Sequence, residues 1–222
     1  MPSDPTGLTP NELRLTYALL VGGLLGFALL AFTYERGPVE SLDTDVAEWV
    51  ASSLPYAAEW LARPFSWLGG WIGLTALGVA LGVVCLRERA WIDLGFLLAT
   101  FAGSQLVVAL LKAWFDRPRP DEGSAVALPS SAAFPSGHAM AGAAGLGAAA
   151  VLVAERHPSD RARAWLWSGV VVAGLAVGLS RIALNVHYVT DVLAGWCLGL
   201  AWLGACLLVR DRLATGVSSP DA

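Results

Sequence analysis

Three short stretches of the chain carry side chains that could bind and transfer a phosphoryl group. They are KAWFDRPRP (112–120), PSGH (135–138) and SRIALNVHYVTD (180–191). Arginine binds phosphate with two parallel hydrogen bonds, and lysine adds a compact positive charge. Histidine and aspartate suit proton transfer and nucleophilic attack near neutral pH. The candidate cations are Lys112, Arg119 and Arg181, with Arg117 as a possible accessory.

The PSGH stretch adds an anion site of a different kind. We expect it to form the first turn of a helix, where free backbone N–H groups and the helix dipole attract an anion. Gly137 lacks a side chain, so a phosphate can approach the backbone closely there. The predicted phosphate-binding residues are therefore Lys112, Arg119, Ser136, Gly137 and Arg181.

The pair His187 and Asp191 predicts a nucleophile with an orienting carboxylate. The two residues are four apart at the expected start of a helix, so they lie on one face, one turn apart. A carboxylate that accepts a proton from one imidazole nitrogen leaves the lone pair of the other nitrogen free. His138, from a different helix, could protonate a leaving oxygen. No zinc-type spacing of Cys and His occurs, so we expect neither a metal nor a cofactor.

Long uncharged segments must position these stretches. The chain has 222 residues, of which 56% are hydrophobic and 14% charged, against about 25% charged in soluble proteins. A bilayer core of about 30 Å needs about 20 helical residues, and six segments are long enough. We predict an all-α, polytopic protein with a single membrane domain over 1–222. The expected spans are 14–34, 66–86, 91–113, 136–155, 164–183 and 188–209.

The segment between the first two spans, 41–62, has an amphipathic pattern. Its apolar residues recur at helical spacing, and its acidic residues fall elsewhere on the helical wheel. This predicts a helix that lies on the membrane surface, with an ordinary polar loop as the alternative. The apolar set is Leu42, Val46, Trp49 and Val50, and the acidic set is Asp43, Asp45 and Glu48.

Basic residues set the expected orientation, because cytoplasmic loops carry an excess of Lys and Arg. The side with both termini carries eight basic residues and the other side six, four of which belong to the anion-binding stretches. Leaving those four aside gives eight against two. We therefore predict an integral plasma (inner) membrane protein with cytoplasmic termini and an extracytoplasmic site.

Together, the three stretches resemble the three-part signature of the type 2 phosphatidate phosphatase superfamily, which also includes soluble vanadium haloperoxidases. The pattern Lys-x6-Arg-Pro, Pro-Ser-Gly-His and Ser-Arg-x5-His-x3-Asp is present without departure. Six spans and a short chain argue against a haloperoxidase. The resemblance implies a metal-free phosphohistidine mechanism, in which His187 attacks phosphorus, Asp191 orients His187 and His138 protonates the leaving group.

The expected substrate is a membrane lipid phosphate or diphosphate: polyprenyl diphosphate, phosphatidylglycerophosphate or phosphatidate. The three stretches bind the phosphate and not the lipid tail, so they do not choose among these lipids. The short connecting loops slightly favour a prokaryotic enzyme that is broadly specific or acts on polyprenyl diphosphate. Two alternatives are a lipid phosphotransferase that uses the same phosphohistidine and a non-enzymatic lipid-binding or transport protein. No basic patch with interleaved aromatics occurs, so we expect no nucleic-acid partner.

Overall fold

The computed structural model describes residues 7–120, 126, 128, 130–157 and 159–217. Every regular element in these residues is an α-helix, and six helical segments are long and apolar enough to cross a membrane. The predicted all-α, polytopic fold with six spans is confirmed. The helices are α1 (Pro10–Thr33), α2 (Gly37–Ser53), α3 (Tyr56–Leu68), α4 (Trp71–Glu88), α5 (Trp91–Phe115), α6 (Gly137–Glu155), α7 (Asp160–Ala183) and α8 (Val189–Val217).

The segment between the first two spans forms two helices, where the sequence predicted a single helix over 41–62. α2 ends at Ser53, and Leu54 is extended, with φ −74° and ψ 124°. The residue before a proline is pushed out of the helical region, so Pro55 explains the break. A second break at Gly69 and Gly70 starts α4 at Trp71, so the first residues of the predicted span 66–86 belong to α3.

The centre of the bundle is α6, which packs against α5, α7 and α8. Its Ala- and Gly-rich sequence allows neighbouring helices to approach closely. On α8, a Cβ at Gly195 would lie 2.5 Å from the Ser136 carbonyl oxygen, and one at Gly199 would lie 2.6 Å from that of Met140. This contact places the start of α8 beside the start of α6, where the Ser136 N–H donates to the Asp191 carbonyl oxygen at 2.9 Å.

Ion pairs join the helices at the opposite end of α6. Arg210 on α8 pairs with Asp93 on α5 at 2.7 Å and with Glu155 on α6 at 2.6 Å. Arg156 pairs with Glu88 at the end of α4 at 2.6 Å. The two ends of the bundle therefore differ: one is closed by these ion pairs, and the other carries the three chemical stretches.

Candidate active site

A cavity of about 610 Å³ lies where the three stretches meet. Its walls come from the α3–α4 junction, the second half of α5, the loop before α6, the first turn of α6 and the end of α7. Six of the predicted site residues line it. These are Lys112, Arg119, Gly137, His138, Arg181 and His187, whereas Ser136 and Asp191 are fully buried next to them.

His187 is held at both ring nitrogens. Its Nδ1 lies 3.3 Å from Asp191 Oδ2, and its Nε2 lies 3.2 Å from a terminal guanidinium nitrogen of Arg119. Because arginine only donates, Nε2 must accept, which leaves the ring proton on Nδ1 for Asp191. Burial, with the nearby cations Arg119 and Lys112 adding to it against the opposing effect of Asp191, lowers the pKa of His187 to about 4. The imidazole is therefore neutral at pH 7, with the Nε2 lone pair at the cavity.

Both oxygens of the Asp191 carboxylate have partners. Oδ2 accepts from His187 and from the backbone N–H of Tyr188 at 2.9 Å, and Oδ1 accepts from Arg117 at 2.7 Å. A carboxylate at the third helical position that accepts from the N-cap N–H is half of a capping box. The carboxylate plane is thus fixed by the start of α8 itself and by Arg117.

Arg117, expected as a possible accessory phosphate ligand, does not line the cavity. It is 7% exposed and donates to both Asp191 and Asp43, at 2.7 Å and 2.9 Å. Its guanidinium also lies 4.7 Å from the ring centroid of Tyr34 and 4.2 Å from that of Tyr188. Burial alone would lower the pKa of Arg117, but the two carboxylates outweigh burial and raise it. Its charge is therefore neutralised behind the cavity.

The cations that do line the cavity are held by neutral groups. Lys112 donates to the Ala132 carbonyl oxygen, Arg119 to the Val186 carbonyl oxygen at 2.6 Å, and Arg181 to the Ser66 hydroxyl. Within the described residues, none of the three cations pairs with a carboxylate. Concentrated positive charge beside hydrocarbon is unfavourable without an anion, so the cavity is suited to bind one.

Two buried hydrogen-bond donors also indicate that the cavity binds an anion. Arg181 Nε and Ser136 Oγ have no hydrogen-bond partner in the described part of the chain. Ser136 is the N-cap of α6, yet its hydroxyl makes no capping hydrogen bond. Buried polar groups are almost always satisfied, so these two donors remain available to a ligand.

A family model described as the PAP2 superfamily matches residues 93–214, which is more than half of the chain. The chain belongs to the PAP2 superfamily. This confirms the resemblance drawn from the three stretches, which all lie within the matched region. Members of the superfamily are named as phosphatases, so the predicted enzyme class, a phosphoric ester hydrolase, is also confirmed.

Named PAP2 relatives include several phosphatases. The chain is 31% identical to phosphatidylglycerophosphatase B of Bacillus subtilis (strain 168) over 79% of this chain and 87% of that protein. It is 36% identical to decaprenylphosphoryl-5-phosphoribose phosphatase of Mycolicibacterium smegmatis over 60% of this chain and 69% of that protein. The crystal structure of a transmembrane PAP2-type phosphatidylglycerolphosphate phosphatase from Bacillus subtilis superposes with a TM-score of 0.78 and 28% identity, covering 90% of this chain and 96% of that one.

Sequence reasoning missed two residues of this PAP2 site. Asp43 was assigned to the polar face of a surface helix, but it is 1% exposed and pairs with Arg117. Ser66, which accepts from Arg181, lies in an apolar run that offers no local signal. Both come from α2 and α3, which precede the region matched by the family model.

The side chains at the cavity decide whether it could bind a metal ion. Within the described residues, no group of three or more His, Cys, Asp or Glu side chains could hold a metal ion. One carboxylate, Asp116, lies among the cavity-lining residues, at the exposed end of α5. The cavity therefore offers cations and backbone donors to an anion.

Proposed function

We propose that this PAP2 chain is a metal-independent phosphatase of membrane lipid phosphates and diphosphates that acts through a phosphohistidine on His187. The observation that carries the proposal is the state of His187: a neutral imidazole whose Nε2 lone pair faces a cavity lined by cations. In the resting site Arg119 occupies that lone pair. A phosphoryl oxygen is a stronger acceptor, so Arg119 moves its hydrogen bond to the substrate and frees Nε2 for attack.

The proposed reaction has two steps. His187 Nε2 forms a bond to phosphorus while the bond to the leaving oxygen breaks, and His138 gives that oxygen a proton. Asp191 stabilises the positive charge that develops on the ring of His187. Water then attacks phosphorus, His138 accepts the proton of the water, and the N–P bond breaks to release inorganic phosphate. The cations hold the phosphoryl oxygens throughout, where charge stabilisation is most effective.

The cavity also offers a route for a lipid tail. Trp71, at the start of α4, is 75% exposed, and Ala109 on α5 is exposed as well, while both line the cavity. Apolar side chains such as Leu74 and Val108 complete this wall. We infer that substrate enters sideways between α4 and α5, because moving an acyl or prenyl tail into water is unfavourable.

A single amide on this wall favours one class of lipid. Gln105 lines the cavity seven residues before Lys112, which is about 10 Å along the helix. A glycerophospholipid presents phosphodiester or ester oxygens behind its terminal phosphate that this exposed amide can bind, whereas a polyprenyl tail presents none. The amide therefore favours a glycerophospholipid, and among these we place phosphatidylglycerophosphate first on the name of the Bacillus subtilis relative.

We expect purified protein to release phosphate from phosphatidylglycerophosphate faster than from phosphatidate or undecaprenyl diphosphate, and to do so in excess EDTA. The assay is release of inorganic phosphate from each lipid in mixed micelles, with and without EDTA and an added lipid acceptor. Loss of activity in EDTA with recovery in Mg²⁺ would contradict the metal-independent mechanism. Transfer to the acceptor in place of release would identify a phosphotransferase.

We expect the active site to face away from the cytoplasm, as the distribution of basic residues predicts. Ser53 ends α2 at the cavity end of the bundle, and Ser159 caps α7 at the other end; both are exposed. In a variant without Cys85, Cys197 and Cys206, a membrane-impermeant thiol reagent on intact cells should label Ser53→Cys and spare Ser159→Cys. The reverse pattern would place the site in the cytoplasm.

A further inference from the structure

The site contains an acidic residue that is far from it in sequence. Asp43 on α2 is buried, although its neighbour Asp45 on the same helix is exposed. Oδ2 of Asp43 accepts from Arg117 at 2.9 Å, and Oδ1 accepts from the backbone N–H of Thr190 at 3.0 Å. The Thr190 hydroxyl also donates to Asp43. A buried carboxylate with this many donors is held in one orientation.

These contacts place Asp43 at the start of α8. The first N–H groups of a helix lack partners within the helix and are normally capped by a preceding side chain. Tyr188, which precedes α8, has no side chain suited to this. Asp43 supplies the missing acceptor from another helix, at the end of α8 where a negative charge is favoured.

The same contacts continue to the catalytic pair. Arg117 bridges the two carboxylates, donating to Asp43 with one terminal nitrogen and to Asp191 and Thr190 with the other, at 2.7 Å and 2.8 Å for the latter two. Asp191 in turn contacts Nδ1 of His187. Without Asp43, Arg117 would have one carboxylate where the structure gives it two, and its guanidinium could rotate with Asp191.

We propose that Asp43 is a positioning residue of the active site: through Arg117 and Thr190 it fixes the Asp191 carboxylate, and through Asp191 it fixes the ring of His187. This inference rests on the proposed function, because the orientation of His187 matters only if that residue reacts. Asp43 does not line the cavity, so it acts on the rate of the reaction and not on lipid binding. Partners that orient metal-binding histidines from behind are commonly worth about 10–100-fold in activity, and we expect an effect of the same order on a histidine nucleophile.

The test compares Asp43→Asn with Asp45→Asn, a matched change at the exposed aspartate of the same helix. Both full-length variants are assayed with short-chain phosphatidylglycerophosphate, and their thermal unfolding is recorded. We expect Asp43→Asn to lower kcat by about 10–100-fold with KM within about twofold, while Asp45→Asn matches the wild type. Because Asp43 acts through Arg117, adding Asp43→Asn to Arg117→Gln should lower kcat little further.

If Asp43→Asn does not fold, Thr190→Val decides the question, since it removes the hydroxyl shared by Asp43 and Arg117 and keeps the shape of the side chain. A fall in kcat at unchanged KM in this variant supports the inference. Wild-type kcat in a folded Asp43→Asn or Thr190→Val variant, or an equal fall in Asp45→Asn, overturns it. If the wild type itself releases no phosphate, the proposed function fails and the inference falls with it.

Discussion

Replacing His187 with alanine is expected to abolish phosphate release and to prevent any phosphate from becoming attached to the protein. The Nε2 lone pair of His187 is the nucleophile in the proposed mechanism, and the methyl group of alanine has no lone pair with which to attack phosphorus. The measurement is turnover of a radiolabelled lipid phosphate, together with acid-labile label on protein quenched during turnover. The wild type should carry label and His187→Ala should carry none.

His157→Ala is the matched control for this experiment. His157 is exposed, at the end of the bundle away from the cavity, and we expect this variant to retain full turnover and labelling. Thermal unfolding of both variants separates a lost nucleophile from a lost fold. Turnover in His187→Ala at the level of His157→Ala would remove His187 from the mechanism.

His138→Ala is expected to lower turnover of lipid phosphates by about 10²–10⁴-fold, the usual effect of losing a general acid. A lipid alkoxide is a poor leaving group and needs the proton that His138 supplies. A nitrophenolate leaves without a proton, so the loss should be much smaller with nitrophenyl phosphate. Asp191 and Arg119, which hold His187, are not altered in this variant, so phosphohistidine should still form.

The decisive measurement is therefore the loss of turnover in His138→Ala with the lipid substrate, divided by the loss with nitrophenyl phosphate. Turnover of phosphatidylglycerophosphate and of nitrophenyl phosphate is compared between the wild type and His138→Ala, with His157→Ala as the reference. A loss that is equal for both substrates would contradict the role of His138 as general acid. It would point instead to phosphate binding, which both substrates share.

The sequence predicted the membrane fold because the length of an apolar helical segment is a local property. It also predicted six residues that meet at one cavity, because each lies beside an end of a predicted span and the spans alternate in direction. The i, i+4 spacing of His187 and Asp191 at the start of α8 predicted their contact, which the structure contains at 3.3 Å. Their catalytic roles remain predictions until the variants are measured.

Pairings between distant elements could not be predicted in this way. Nothing in the order of residues distinguishes Asp43 from Asp45, and the helical wheel placed both on a solvated face. Only the packing of α2 against the start of α8 makes one of them a buried partner of Arg117. The sequence ranked Arg119 above Arg117 as a phosphate ligand, but it could not tell that Arg117 lies behind the cavity and pairs with Asp43.

Pro55 is a local signal for the helix break at Leu54, but the prediction extended a single helix over 41–62 from an amphipathic pattern that lies within 42–50. The break between α2 and α3 affects the active site, because each helix contributes a different residue to it. α3 begins anew after the break and carries Ser66 to Arg181, while α2 carries Asp43 to α8. A single straight helix over 41–62 would have had to bring both Asp43 to α8 and the following Ser66 to Arg181 without this change of direction.

The composition of α6 has a consequence for how the protein is made. Of the six candidate spans α6 has the lowest mean hydropathy, and 67% of its most apolar stretch is buried inside the protein, against 11% for α1. A segment this rich in Gly and Ala has little preference of its own for lipid and is stabilised there by neighbouring helices. Its contacts with Gly195 and Gly199 form only after the ribosome has produced α8. A nascent chain released before that point would leave α6 poorly anchored, so products that lack α8 should be recognised and degraded, and the catalytic cavity should form only once α8 has been made.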